Sequence, residues 1–226
     1  MLHFENKSLS LGKLWDFDKN SDLAFMKIFK LFRIDLKLSD FLEVYKPINS
    51  KYWEKYRNDE VSKSKLRYGR LKDTFDLLNY HITDEEINRI SESYIESLAD
   101  HNYLIPNSKS ILDYLFSKYE LHIITNGFEE VQKQKIFSSD LQPYFSKIIT
   151  SESVGVKKPN PIIFNEALKR ADALACESLM IGDNIEADVL GALESGFSAI
   201  LFNYHKIPPP NGIKTIDNLI ELKVLL

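Results

Sequence analysis

Between Asn20 and Ile105 the chain carries one glycine, Gly69, and one proline, Pro47, whereas Gly127, Gly155, Gly182, Gly191 and Gly196 all fall later. A stretch without breakers reads as helical, because nothing in it frees or locks the backbone away from the α region. Glycines that follow short apolar runs mark strand-loop-helix units instead. Glycine is scarce throughout: the chain holds eight, about half of what an ordinary usage of roughly 7 % would supply. Its uneven placement divides the chain into two kinds of fold.

Side-chain periodicity agrees. Phe25, Ile28, Phe29 and Phe32 recur on one helical face behind the cap candidates Asn20 and Ser21. Thr83 to Glu86 is a capping box, followed by Ile87, Ile90, Tyr94 and Leu98 on one stripe. From Pro106 onward, β-rich runs at 121–124, 147–150, 179–181 and 199–202 alternate with helical stretches at 111–119, 161–171 and 185–195. That alternation predicts an α/β fold with a parallel, doubly wound sheet. The expected organisation is a core of residues 1–19 and 106–226, interrupted by a helical domain of residues 20–105.

Composition limits the function classes. The 226 residues suffice for one to two domains at about 150 residues each, and 44 % hydrophobic content supports a sizeable core. With 29 Lys and Arg against 33 Asp and Glu, the net charge is −4. That balance, without a basic block, argues against a nucleic-acid polymer or a membrane surface as partner. The lone Cys176 precludes an internal disulfide, and neither a signal pattern nor a spanning apolar run is seen, so a cytoplasmic location is expected. Cys176 reads as a buried or inert thiol. The five histidines lack metal-ligand spacing, and His122, inside an apolar run, reads as structural.

In open α/β sheets the chemistry lies at the carboxyl ends of the strands. Three such ends carry polar groups. Thr125-Asn126-Gly127 offers a hydroxyl, an amide and accessible backbone N–H groups to an anion, or is a plain Asn-Gly turn. Lys158, fixed ahead of Pro159, can pair with a phosphate and a carboxylate, or is a solvated loop lysine. Gly182-Asp183 and, one turn on, Asp188 place carboxylates where a hard cation such as Mg²⁺ is favoured. Asp188 can alternatively complement the helix dipole. Asp183, directly after a buried strand, is harder to explain as structure.

Taken in order, the strand-Thr, the Lys-Pro and the Gly-Asp-x4-Asp resemble three of the motifs of the haloacid dehalogenase (HAD) superfamily. Residues 154–159, 181–188, 14–18 and 49–53 are similar to its YjjG-type pyrimidine 5′-nucleotidase subgroup. The resemblance implies a HAD-like Rossmannoid parallel sheet core with an inserted α-helical, C1-type cap. It also implies Mg²⁺-dependent hydrolysis of phosphomonoesters, nucleoside monophosphates foremost, through an aspartyl-phosphate intermediate. Thr125, Asn126 and Gly127 would hold phosphoryl oxygens and Lys158 would steady nucleophile and phosphate. Asp183 would ligate Mg²⁺ and Asp188 support it. In the cap, Trp53 would stack on a base, Asn49 read its edge, and Arg67 and Arg70 meet anionic groups, unless these are helix packing and solvated arginines. The partner is a small phosphorylated metabolite, a nucleotide by resemblance, and the chain is expected as a monomer or homodimer.

The first motif of the superfamily, an apolar strand ending in Asp-x-Asp-x-Thr, is not intact. The subgroup's register puts the nucleophile near Leu9 and the acid near Leu11, and neither is a carboxylate. Two readings stay open. Asp16-Phe17-Asp18 is a displaced version, with Asp16 and Asp18 as the catalytic pair. Alternatively both aspartates belong to the cap linker and the motif is lost, as a shifted reading frame before Leu14 would cause, leaving a HAD-fold protein without its nucleophile. A 2-haloacid dehalogenase is a third reading, disfavoured because those enzymes work without metal.

Overall fold

The computed structural model describes residues 8–11 and 13–226, the side chains from Lys13 onward. The chain divides into two compact units: the chain up to Asp16 together with Leu104–Leu226, and Phe17–Tyr103.

Among the described residues the first unit is built on six parallel strands: β1 (Ser8–Leu11), β2 (Glu120–Thr125), β3 (Phe145–Thr150), β4 (Ser178–Gly182), β5 (Ser198–Phe202) and β6 (Thr215–Ile216). Their order is β3-β2-β1-β4-β5-β6, so β1 lies between β2 and β4. Leu11 is level with Ile181, and Ser10 with His122 and Met180. Alternate residues of β2 and β4 feed two cores. Leu121, Ile123, Leu179 and Ile181 pack on one face, while Ile124, Met180 and Ile149 pack on the other with Ile163 and Phe164. This is the period-two pattern of a sheet covered on both sides.

The sheet expected over 121–124, 147–150, 179–181 and 199–202 is therefore present, each strand running slightly longer. Parallel strands need crossovers, and the helices supply them: α5 (Ser108–Phe116), α6 (Glu129–Ser138), the single turn α7 (Ser151–Val154), α8 (Pro161–Ala171), α9 (Gly191–Glu194) and the terminal α10 (Leu222–Leu225). α8 starts sharply because Asn160 accepts the Ile162 N–H and Pro161 occupies the first helical position. It stops where Asp172 turns left-handed. The helix expected over 185–195 is instead a π-helical turn, Ile185–Leu190, leading into α9.

The second unit holds α1 (Phe17–Leu31), α2 (Leu38–Arg57), α3 (Lys63–Leu77) and α4 (Asp84–Leu98). Phe25, Phe41, Tyr45, Phe75 and Tyr94 form its aromatic centre, with Phe25 stacked on Tyr94 at 4.4 Å between ring centroids. The Thr83–Glu86 capping box is formed. Asn20 and Ser21 do not cap α1, which begins at Phe17. Asn20 instead exchanges two hydrogen bonds with the Tyr103 backbone, and Ser21 pairs with the Tyr94 hydroxyl. Gly69 is required by packing, since a Cβ there would sit 2.4 Å from the Tyr52 hydroxyl. No described helix is long and apolar enough to cross a membrane.

Candidate active site at the strand tips

β2 ends at Thr125, whose Oγ1 accepts the Gly127 N–H at 3.0 Å and closes the turn. Asn126 then reaches the loop before α8. Its Nδ2 donates to the Lys158 carbonyl at 2.9 Å and its Oδ1 accepts the Lys158 N–H at 2.8 Å. This reciprocal pair fixes the Lys158 backbone, which enters a cis bond to Pro159.

The Lys158 side chain is 5 % exposed, so its charge must be compensated locally. Its Nζ donates to the Ile124 carbonyl at 2.6 Å and to Asp188 Oδ1 at 2.5 Å. Ile124 belongs to β2 and Asp188 follows β4, so the ammonium bridges the two strands flanking β1. Ser10 is level with His122, which puts Ile124 just past the level of Leu11, the last residue of β1. A fixed cation thus lies over the carboxyl end of the central strand.

The π-helical turn delivers Asp188 to that position. Asn184 caps it by accepting the Ala187 N–H, and Asp188 Oδ2 accepts the Asn184 N–H at 3.1 Å. Asp188 folds back against Gly182, where an added Cβ would sit 2.3 Å from its Cβ. Gly191 is equally constrained by Pro159 and Phe164, each 2.9 Å from such a Cβ. Two glycines therefore let the turn after β4 and the Lys-Pro loop come together. Asp188 is thus ion-paired with Lys158, a contact that neither of its two sequence readings contained.

Asp183 is 27 % exposed at the β4 tip and forms a salt bridge with Lys13, Nζ to Oδ2 3.1 Å. Lys13 was not among the residues expected at the site. Its side chain is 12 % exposed, and its ammonium donates to His205 Nε2 at 2.8 Å and lies 4.7 Å from the centre of the Tyr204 ring. An ammonium has donors only, so His205 accepts through Nε2. The one sequence signal of this arrangement is a lysine two residues past the apolar end of β1.

The positions near Leu9 and Leu11, where the nucleophile and acid are expected by resemblance, belong to β1, whose side chains lie outside those described. Asp16 and Asp18 do not follow a sheet strand directly. Trp15 bridges Leu104 in antiparallel fashion, and the Leu14 carbonyl accepts from Ile105 N–H and Ser108 Oγ. Asp16 ends the first unit, and Asp18 lies in the first turn of α1 in the second.

Within the helical unit, Asn49 and Arg70 come together: Arg70 Nη1 donates to Asn49 Oδ1 at 2.9 Å. Arg70 is buried rather than solvated, at 1 % exposure, with its guanidinium carbon 5.2 Å from the centre of the Tyr94 ring. Trp53, half-buried, lies one turn along α2 from Asn49 and packs edge-on against Tyr56. The Arg67 carbonyl accepts from Ser91. Cys176 is exposed rather than buried.

Residues 24–202 match the family model for haloacid dehalogenase-like hydrolases. The chain belongs to that family. It is 31 % identical to pyrimidine 5′-nucleotidase YjjG of Escherichia coli (strain K12), over 94 % of this chain and 93 % of that one. Identity to pyrimidine 5′-nucleotidase PynA of Streptococcus pneumoniae is 26 %, over 86 % and 81 % of the two chains. The magnesium-bound structure of HAD-hydrolase YfnB from Bacillus subtilis superimposes with a TM-score of 0.89 at 24 % identity, covering 100 % of this chain and 99 % of that one. The haloacid dehalogenase-like fold is thus shared over the whole length.

The residues present do not fit the Mg²⁺ implied by the family resemblance. Mg²⁺ demands about six oxygen ligands in near-octahedral geometry, usually with one or two carboxylates. Here Asp183 is paired with Lys13 and Asp188 with Lys158, while 8–13 reads Ser-Leu-Ser-Leu-Gly-Lys. Among the described residues no group of three His, Cys, Asp or Glu side chains is gathered.

Proposed function

We propose that this haloacid dehalogenase-like hydrolase acts on small phosphomonoesters, nucleoside monophosphates foremost, bound at the carboxyl ends of β2, β1 and β4. The observation that carries this reading is the Lys158 ammonium, held by Ile124 and Asp188 over the end of β1. A fixed, desolvated cation beside a Thr-Asn-Gly turn suits a phosphoryl group, whose charge is otherwise costly to take out of water. The Thr125 hydroxyl and the Asn126 backbone N–H would donate to phosphoryl oxygens, with Gly127 leaving room for the approach. The nucleotidase relatives support a nucleoside as leaving group. Of the helical-unit residues given the role of contacting it by resemblance (Asn49, Trp53, Arg67 and Arg70), Arg70 is buried and spends a donor on Asn49, so it positions Asn49 rather than meeting an anion.

Hydrolysis through an aspartyl-phosphate needs a carboxylate that attacks phosphorus and an acid that protonates the leaving oxygen. Asp16 and Asp18 are the aspartates of the segment after β1, and this reading assigns them those roles. The test is phosphate release from dUMP, dTMP, UMP and an aryl phosphate, with Mg²⁺ and with EDTA. Asp16→Asn, Asp18→Asn and Asp183→Asn proteins run beside the native chain. Loss of several orders of magnitude in Asp16→Asn is the expected result for a nucleophile.

A second reading, binding without turnover, is favoured by one observation: Ser8 to Lys13, the end of the central strand, contains no carboxylate. Folded protein that binds phosphate esters but releases no phosphate in any buffer would establish it.

A further inference from the structure

We propose that the Lys13 ammonium stands where a divalent cation would sit beside Asp183, so that phosphate binding by this chain is independent of metal. The inference rests on the phosphomonoester site proposed above and names the source of its second positive charge.

Three observations converge. Leu11 is level with Ile181 across the β1–β4 ladder, so Lys13, two residues on, leaves β1 at the level where Asp183 leaves β4. Its Nζ lies 3.1 Å from Asp183 Oδ2, within the reach of a direct charge-assisted contact. The group is also held in place: His205 accepts a second hydrogen bond, Tyr204 presents its ring, and the side chain is 12 % exposed. A solvated surface lysine would have no such cradle.

The charges then decide the occupant. A divalent ion at Asp183 would have to displace Lys13 or lie against it, and two cations beside one carboxylate repel more strongly as water is excluded. Residues 8–13 bring no carboxylate to offset that repulsion. Lys13 donates to His205 and is ion-paired with Asp183, and an ammonium with three donors has a further one for a phosphoryl oxygen. Lys158 and Lys13 therefore supply the two positive charges at this strand tip, each neutralised by an aspartate in the unliganded chain.

The experiment has two arms on the full-length chain. In the first, Mn²⁺ is titrated into native, Lys13→Asp and Lys13→Asp/Asp183→Asn proteins, followed by the paramagnetic signal of free Mn²⁺. The native chain is expected to bind at least 10-fold more weakly than Lys13→Asp, and the double variant to lose the gain. Native protein binding Mn²⁺ as tightly as Lys13→Asp overturns the proposal. Should Lys13→Asp not fold, Lys13→Ala replaces it, with a smaller gain in Mn²⁺ affinity expected and no gain counting against. In the second arm, inorganic phosphate is titrated calorimetrically in EDTA and in Mg²⁺. Native affinities are expected within about 2-fold of each other, and Lys13→Ala to weaken binding at least 10-fold in EDTA. Phosphate binding that tightens 10-fold with Mg²⁺ overturns the proposal. A protein silent to phosphate in both buffers, with the Mn²⁺ arm as expected, overturns the phosphomonoester reading and leaves Lys13 assigned as the counter-charge of Asp183.

Discussion

At the carboxyl end of β2 the polar side chains are tied to neighbouring backbone: Thr125 to Gly127, Asn126 twice to Lys158, Lys158 to Ile124. At the carboxyl end of β1, one strand away, the corresponding charge sits on a single long side chain, Lys13, held among the described residues by the side chains of Asp183, His205 and Tyr204. The first arrangement is preorganised, since its donors are fixed before a ligand arrives and lose little freedom on binding. The second holds its charge on four rotatable carbons, and ordering them costs conformational entropy. The two strand tips thus form a rigid half, built on the Lys158 cation, and a flexible half, built on Lys13.

The largest predicted effect breaks the rigid half. Lys158→Met leaves Asp188 buried without its cation and the Ile124 carbonyl without that donor, and removing one member of a buried pair costs about 3–5 kcal/mol. Urea melts should show that loss, and a Lys158→Met/Asp188→Leu protein should recover much of it. A cost no larger than that of a surface pair would mean that the bridge over β1 contributes little. Next comes Gly182→Ala. Its Cβ would meet Asp188 at 2.3 Å, so the π-helical turn must move, at about 1–3 kcal/mol for overpacking. Gly212→Ala is the control, because open space surrounds it and only its positive φ is strained.

The rigid half was also the legible half. Gly182 follows an apolar run that marks a strand tip, and Lys158, which alone reads equally as a solvated loop lysine, gains its place through the family resemblance. The breaker-free stretch after Asn20 likewise announces a separate helical unit. What the sequence did not carry is what a side chain meets across the fold. Lys13 reads as an interruption of a strand, and the Leu11–Ile181 register is needed to set it beside Asp183. His205 and Tyr204, which hold it, come from the loop after β5, far along the chain. Asn20 looks like a cap, but its amide is taken sideways by Tyr103. Arg70 looks solvated, because helical periodicity does not say that two tyrosine rings will enclose a guanidinium.

On the flexible side, Lys13→Ala should change stability by no more than about 1 kcal/mol, since Asp183, 27 % exposed, can turn to water once its partner is removed. The contrast with Lys158→Met sharpens the comparison: the same residue type, one strand apart, should differ several-fold in cost. A Lys13→Ala loss as large as that of Lys158→Met would show that the β1 tip is braced as firmly as its neighbour.

The smallest effect tests the seam between β1 and β2 below both tips. His122 is level with Ser10, is 2 % exposed, and among the described residues neither ring nitrogen has a hydrogen-bond partner. Burial lowers its pKa, and Lys147 adds to the shift while Glu120 opposes it. The folded chain therefore holds His122 neutral at pH values where the unfolded chain, with an ordinary value of about 6.5, has taken up a proton. Stability from this group is complete above about pH 6.5 and declines as the pH falls toward the lowered folded value, because there the unfolded state binds more protons. Thermal melts from about pH 8 down to about pH 5 should show that decline, and His122→Leu should flatten it. Lys13→Ala, which leaves the seam untouched, should keep the native slope. Equal slopes in the native and His122→Leu proteins would assign the acid sensitivity to the carboxylates and remove the β1–β2 seam from the account.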